Sequence, residues 1–198
     1  MLSIKNVLLG NLNYPISFDI QPGQCLGIIG DSGIGKTRLL RAIADLEECQ
    51  GTITFNNVNA RQYEPVVWRN EISYLPAESL WWFDVVEDHF ISTDDLDLDK
   101  LNLQSSILSQ PIIELSTGER QRLAFLRLLN HNTPKVLLLD EPTSALDESN
   151  TKKLENYILS LKSKSNIAII WVSHDLNQIE RVCDRYIKLT ASEVIGQN

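Results

Sequence analysis

An α/β fold with a mostly parallel core sheet is what this sequence predicts, on three observations. The mostly apolar run Cys25–Ile29 leads into a glycine-rich stretch and then into a segment with helical spacing of apolar residues. Val136–Leu139 is apolar at every position, as a strand buried on both faces of a parallel sheet must be. Ile167–Val172 is a second such run. A helical stripe (Leu154, Tyr157, Ile158, Leu161) precedes it, and a helix from about Leu176 to Val182 follows. Alternation of this kind builds βαβ units.

The glycine-rich stretch is Gly30, Asp31, Ser32, Gly33, Ile34, Gly35, Lys36, Thr37, which fits G-x-x-x-x-G-K-[ST]. Glycines let the backbone curl until successive N–H groups face an anion, and the following helix adds its positive N-terminal end. Lys36 supplies a mobile cation for the β- and γ-phosphates of a nucleotide, and Thr37 a hydroxyl for Mg²⁺. After the loop, Leu39, Leu40, Ile43 and Leu46 fall at helical spacing. Strand, loop and helix together are the context this phosphate loop requires, so a P-loop NTPase fold is expected.

The flanking segments divide the chain. Leu2, Ile4 and Val7, then Ile16, Phe18 and Ile20, nearly alternate, with a turn at Gln21–Gly23. Gly51–Phe55 reads as another strand closed by Asn56-Asn57, and together these predict an N-terminal antiparallel β region. Ile72, Tyr74 and Leu75 form a short strand stopped by Pro76. From residue 77 to 114 the long apolar runs cease. Here lie Trp81-Trp82-Phe83, a helix expected over Val85–Ile91, and the acidic residues Asp94, Asp95, Asp97 and Asp99, read as a solvated surface. The chain is therefore expected to be one domain over 1–198. Its core lobe spans 1–76 and 130–198, with a small helical lobe inserted at about 77–129.

Composition narrows the function classes. At 198 residues and 43% apolar content a sizeable core is available. No apolar stretch reaches the length of a membrane span, and the N-terminus lacks a signal-peptide pattern, so a soluble, cytoplasmic chain is expected. A net charge of −8 argues against a nucleic-acid partner. Cys25, Cys49 and Cys183 match no zinc spacing or disulfide framework and are expected as reduced thiols.

Asp140 and Glu141 end the strand at Val136–Leu139, where an open parallel sheet binds its ligands. Asp140 suits Mg²⁺ held through water, and Glu141 suits polarising the water that attacks a γ-phosphate. Ser116 with Glu119 three residues later makes a capping box. Leu115-Ser116-Thr117-Gly118-Glu119 also closely resembles the signature of the ABC ATPases. In that family Ser116, Thr117, Gly118 and Glu119 would grip ATP bound to the opposite subunit. Ser144-Ala145-Leu146-Asp147 resembles the loop that crosses the dimer interface, placing Asp147 beside nucleotide, and His174 resembles the switch histidine at the γ-phosphate. Tyr14 is the candidate to stack on adenine. The family's glutamine after the strand at Ile72–Leu75 is replaced by Ala77, and Glu78 is the candidate substitute Mg²⁺ ligand. The resemblance implies an ATP-hydrolysing subunit with Lys36, Glu141 and His174 catalytic and ATP and Mg²⁺ bound. It would pair with a second copy or a related ATPase chain, driving an integral membrane permease from the cytoplasmic face. Pro134–Asp147 and Trp171–His174 look most like bacterial members linked to metal-ion (iron) export. One alternative is a soluble member acting on DNA or ribosomes, against which stands the lack of a long coiled coil or second ATPase domain in this sequence. Another is a plain P-loop kinase or GTPase, against which stand the signature and the lack of an Asn-Lys-x-Asp guanine motif.

Overall fold

The computed structural model describes residues 1–10, 12–130 and 133–197. Strands β1 (Leu2–Leu8), β2 (Ile16–Ile20), β4 (Gln50–Phe55) and β5 (Val58–Asn59) make a four-stranded antiparallel sheet in the order β2-β1-β4-β5. Their alternating pattern is the cause: Ile16, Phe18 and Ile20 are buried while Ser17 and Asp19 between them are exposed.

The second sheet has six strands: β3 (Cys25–Gly30), β6 (Ile72–Leu75), β7 (Val136–Asp140), β8 (Ala168–Val172), β9 (Arg185–Leu189) and β10 (Val194–Gln197). Their order is β10-β9-β3-β8-β7-β6, all parallel except β10, which closes one edge antiparallel. Alternate residues of one strand feed opposite cores. Leu138, Ile170 and Val172 pack towards the antiparallel sheet, whereas Leu137, Leu139, Ile169 and Trp171 pack on the other side. That double burial is why these strands read as unbroken apolar runs.

Among the described residues, five α-helices cover the sheets: α1 (Lys36–Ile43), α2 (Pro65–Glu71), α3 (Thr117–Asn130), α4 (Glu148–Ser165) and α5 (Leu176–Val182). The expected mostly parallel core sheet, N-terminal antiparallel region and inserted lobe are all present.

Several expectations need correction. Helix α1 stops at Ile43, Asp45 turns the chain with φ 58°, and Leu46 ends up exposed instead of continuing the stripe. No α-helix forms over Val85–Ile91, where only a 3-10 turn at Glu87–His89 occurs. The backbone there is committed elsewhere. Val86 N donates to Gln110 O at 3.2 Å, and Ile112 N donates to Asp84 O at 2.8 Å. Buried His89 accepts from the amides of Trp82 and Phe83, both at 3.0 Å. The lobe before α3 is thus built from 3-10 turns (Glu87–His89, Asp99–Leu101, Ser105–Ser109, Ile112–Glu114). Of the acidic residues, Asp94, Asp95 and Asp99 are exposed as expected, whereas Asp97 anchors the lobe by accepting from the Tyr157 hydroxyl of α4 and pairing with Lys100. Cys25 and Cys183, distant in sequence, bring their Sγ atoms to 3.3 Å as free thiols.

Candidate active site

The carboxyl edge of the parallel sheet collects the chemistry. Gly30 pairs with Leu189, Asp140 pairs with Val172, and Glu141 N donates to Val172 O at 3.0 Å. The ends of β3, β7 and β8 therefore lie side by side. From them emerge the glycine loop, the acidic pair and the segment Ser173-His174.

In the loop, Gly30, Gly33 and Gly35 all have positive φ (152°, 78° and 113°). A Cβ on Gly30 would lie 2.6 Å from Leu189 O, so glycine is obligatory there. The space over Gly33 is open. Lys36 is buried, and its Nζ donates to Gly30 O at 2.7 Å and to Asp31 O at 3.0 Å. Its ammonium thus lies folded across the mouth of the loop. Thr37, in the first turn of α1, is exposed together with Asp31 and Ser32.

Asp140 is 2% exposed, with the Tyr74 hydroxyl donating to its Oδ2 at 3.1 Å. Burial and the neighbouring Asp140 carboxylate push the Tyr74 phenol well up, so it remains a donor. Among the described residues no cation pairs with Asp140. A carboxylate without a cationic partner and the Thr37 hydroxyl are both hard oxygen donors, a chemistry that suits Mg²⁺. Sequence reasoning missed Tyr74. The signal exists only once register is known: Tyr74 pairs with Leu138, two residues before Asp140 on the same face of a parallel ladder.

Glu141 has φ 50°, a left-handed conformation that costs a non-glycine residue about 1 kcal/mol. Its Oε2 lies 2.7 Å from His174 Nδ1. A carboxylate on a strained backbone, in contact with an imidazole at a sheet edge, is able to orient a water molecule. The structure therefore brings together Gly30, Asp31 and Lys36, and Glu141 with His174.

The remaining candidates lie apart from these contacts. Ser116 caps α3, its N and Oγ donating to Glu119 Oε2 at 2.9 and 2.6 Å, and Glu119 N donates back to Ser116 Oγ at 3.3 Å. The Ser116 hydroxyl and amide hold the Glu119 carboxyl below the usual range. Thr117 is exposed. Gly118 is pressed on the next loop: a Cβ there would lie 3.0 Å from Ala145 O and 3.1 Å from Leu146. Asp147 caps α4, and the Asn150 amide holds its carboxyl below the usual range. Tyr14 donates its hydroxyl to Thr190 O at 2.7 Å, next to the Leu189–Gly30 pairing, and burial pushes its phenol up. Glu78 is exposed on the loop after β6.

Two further polar residues of α3 were also missed, although both are polar on a face that is otherwise apolar. Gln121 contacts Glu141 O and Ala145 N. Arg122 donates to the carbonyls of Gly118, Leu101 and Asn102 and to Asn150 Oδ1, at 2.7–3.1 Å.

A phosphate loop, a buried carboxylate beside it and an exposed capped helix on the same sheet edge define a nucleotide-hydrolysing cassette. Comparison with known proteins agrees. The family model described as ABC transporter matches residues 14–144. The probable iron export ATP-binding protein FetA of Escherichia coli (strain K12) is 35% identical, over 96% of this chain and 91% of its own length. The methionine import ATP-binding protein MetN of Clostridium acetobutylicum is 32% identical, over 98% of this chain and 67% of its own length. The solved dimeric structure of MJ0796, a bacterial ABC transporter cassette, shares the fold with a TM-score of 0.84 at 24% identity, covering 98% of this chain and 96% of that one. The chain belongs to the ABC transporter family, as an ATP-binding subunit with ATPase activity. Among the described residues, no helix is long and apolar enough to cross a membrane.

Proposed function

We propose that this chain hydrolyses ATP in a head-to-tail dimer, with itself or a related ATPase chain, and thereby drives a separate membrane permease from the cytoplasmic face. The observation that carries the reading is the Glu141–His174 contact at the sheet edge that also holds the phosphate loop. In each site, Gly30–Thr37 of one chain would enclose the phosphates and Ser116–Glu119 with Asp147 of the other would close over them. Tyr14 is offered for the adenine.

Lys36 would leave the Gly30 and Asp31 carbonyls and follow the charge of the terminal phosphates. Glu141 would accept a hydrogen bond from water and orient it. His174, with Nδ1 on Glu141, would turn its other ring nitrogen to a phosphoryl oxygen. Thr37 and Asp140 would hold Mg²⁺, with Glu78 as the proposed extra ligand where Ala77 cannot serve. When bound, that ion would supply positive charge to neutralise the phosphates.

Support for a membrane partner lies in the inserted lobe. A groove of about 310 Å³, lined in part by Pro76, Ser79, Trp82, His89 and Arg127, opens beside exposed Leu80 and Trp82. The likeness to an iron export protein over 96% of the chain supports a metal-ion export permease as that partner. The soluble alternative predicts no membrane recruitment.

The test is direct. Wild type hydrolyses MgATP, Lys36→Ala weakens ATP binding, and Glu141→Gln accumulates as an ATP-bound dimer in sedimentation. A Glu141→Gln protein that stays monomeric in excess MgATP sinks the sandwich. Sedimentation with membranes only on co-expression of the permease separates a transporter subunit from a soluble ATPase. Unchanged ATPase rates in both Ala77→Gln and Glu78→Ala would remove that loop from the mechanism.

A further inference from the structure

Glu141 keeps a left-handed backbone that most side chains avoid, so something must hold it there. Two backbone bonds contribute: Glu141 N to Val172 O at 3.0 Å, and Ser144 N to Glu141 O at 3.2 Å. The third hold is a side chain from a different element. Gln121 on α3 is 5% exposed, its Nε2 donates to Glu141 O at 3.0 Å, and its Oε1 accepts from Ala145 N at 3.3 Å. One buried amide therefore grips both ends of the turn from Glu141 to Ala145.

The geometry has a mechanical consequence. The Glu141 carbonyl and carboxylate leave the same Cα, at the point where β7 passes into this turn. Displacing the residue along with the turn would carry the carboxylate away from His174 Nδ1, now 2.7 Å distant. Gln121 opposes that displacement by anchoring the carbonyl to α3. Gln121 also lies in the second turn of the helix that opens at the capping box of Ser116 and Glu119. Whatever engages that helix end is thus one rigid turn from the carbonyl of the water-orienting residue.

We propose that Gln121 is a positioning residue for hydrolysis: it holds Glu141 in its left-handed conformation on His174, and ties the Ser116–Glu119 end of α3 to that carboxylate within one chain. The inference rests on the reading of Glu141 as the residue that orients water. A Gln121 that merely fastens α3 to the core would be expected to matter for folding and dimer formation, with no selective effect on turnover.

The full-length chain is used throughout, with steady-state ATP hydrolysis measured for wild type, Gln121→Met and Gln121→Asn. Methionine keeps the length and loses both bonds; asparagine keeps the amide but is too short to span the turn. Each variant is also combined with Glu141→Gln and tested for ATP-dependent dimer formation, which needs no hydrolysis. The expected result is a kcat about tenfold to a hundredfold lower. KM for ATP should stay within about twofold, and dimer should form at the same ATP concentration in the Glu141→Gln background. The proposal is overturned if kcat stays within about twofold of wild type in both variants. It is equally overturned if the loss is accounted for by a higher KM or by failure to dimerise. Should Gln121→Met not fold, Gln121→Asn carries the same comparison. Glu141→Gln alone keeps the two levels apart. If it abolishes turnover while the Gln121 variants are fully active, only this inference fails. If it leaves turnover intact, the reading of Glu141 fails first.

Discussion

The parallel sheet and the inserted lobe are buried by different means. In the sheet, β7 and β8 are buried along their whole length and each is hydrogen-bonded on both sides. In the lobe, residues 77–116 contain 3-10 turns and one isolated bridge between Val85 and Pro111, and few apolar side chains such as Val86, Leu101 and Ile107 are fully covered. Polar pins do the rest: His89 under Trp82 and Phe83, Asp97 on Tyr157, and Arg122 across three carbonyls. Arg127 lies over both Trp81 and Trp82, 4.3 and 4.6 Å from the ring centroids. The lobe meanwhile leaves Leu80, Trp82 and Ile113 exposed. A ladder transmits little local adjustment, whereas a pinned lobe can shift when one pin is exchanged. On the proposed reading, phosphate and water chemistry falls to the sheet and partner contact to the lobe.

The largest expected effect belongs to the rigid half. Glu141→Gln should lower ATP turnover about 10²- to 10³-fold without lowering the thermal midpoint, since the amide can still meet His174. Turnover assay with a melting curve checks both. A large stability loss would mean that the Glu141–His174 pair serves the fold more than the chemistry.

On the lobe side the largest effect should be on stability. Arg122→Met removes the donor to Gly118 O, Leu101 O and Asn102 O at once. Leaving such acceptors unpaired should cost about 2–4 kcal/mol. Denaturant unfolding checks the sum. Amide exchange should show the increase concentrated over residues 98–120 and not in β7. Uniform loss across both halves would break the comparison, because it would make the lobe a cooperative part of the core.

The same division explains what the sequence made legible. Strands buried on both faces announce themselves, as Val136–Leu139 does, because double burial leaves no polar position. The glycine loop is equally plain, since its backbone angles admit few residues. The lobe was misread at Val85–Ile91 because its backbone bonds run to Gln110 and Asp84, partners no local pattern reveals. β9, with Arg185 and Lys188 inside it, and α2, short and largely exposed, carry no strong periodicity. Glu141 and His174, read from separate motifs, do meet at one sheet edge. Tyr74, Gln121 and the Cys25–Cys183 contact depend on register and helix packing, which are tertiary facts.

Tyr74→Phe probes the border between the halves, because β6 leads directly into the lobe. Losing the hydroxyl should leave Asp140 Oδ2 without its donor, at about 1 kcal/mol of stability. Turnover should drop severalfold, or about tenfold per 1.4 kcal/mol if the lost orientation is felt fully in hydrolysis. Urea unfolding and ATPase rates on one preparation separate the two. Unchanged turnover with reduced stability would assign Tyr74 to the sheet alone.

The smallest expected effect lies at the Ser116 cap. Glu119 has its carboxyl lowered by the Ser116 hydroxyl and amide. A lowered acid stabilises the fold fully above its unfolded value, near 4.3, and loses that contribution as pH falls through the lower folded value. The window therefore lies on the acid side of about pH 4.3, and stability between pH 6 and 8 should be flat with respect to this group. Glu119→Gln keeps an acceptor for the Ser116 amide but cannot titrate. Melting curves of the two proteins should run parallel near neutrality and converge by about 1 °C as the medium is acidified. A difference that instead grew with acidity would mean the carboxylate is disfavoured at this helix end. The exposed cap would then lack the positive character that the proposed half-site needs to receive a phosphate.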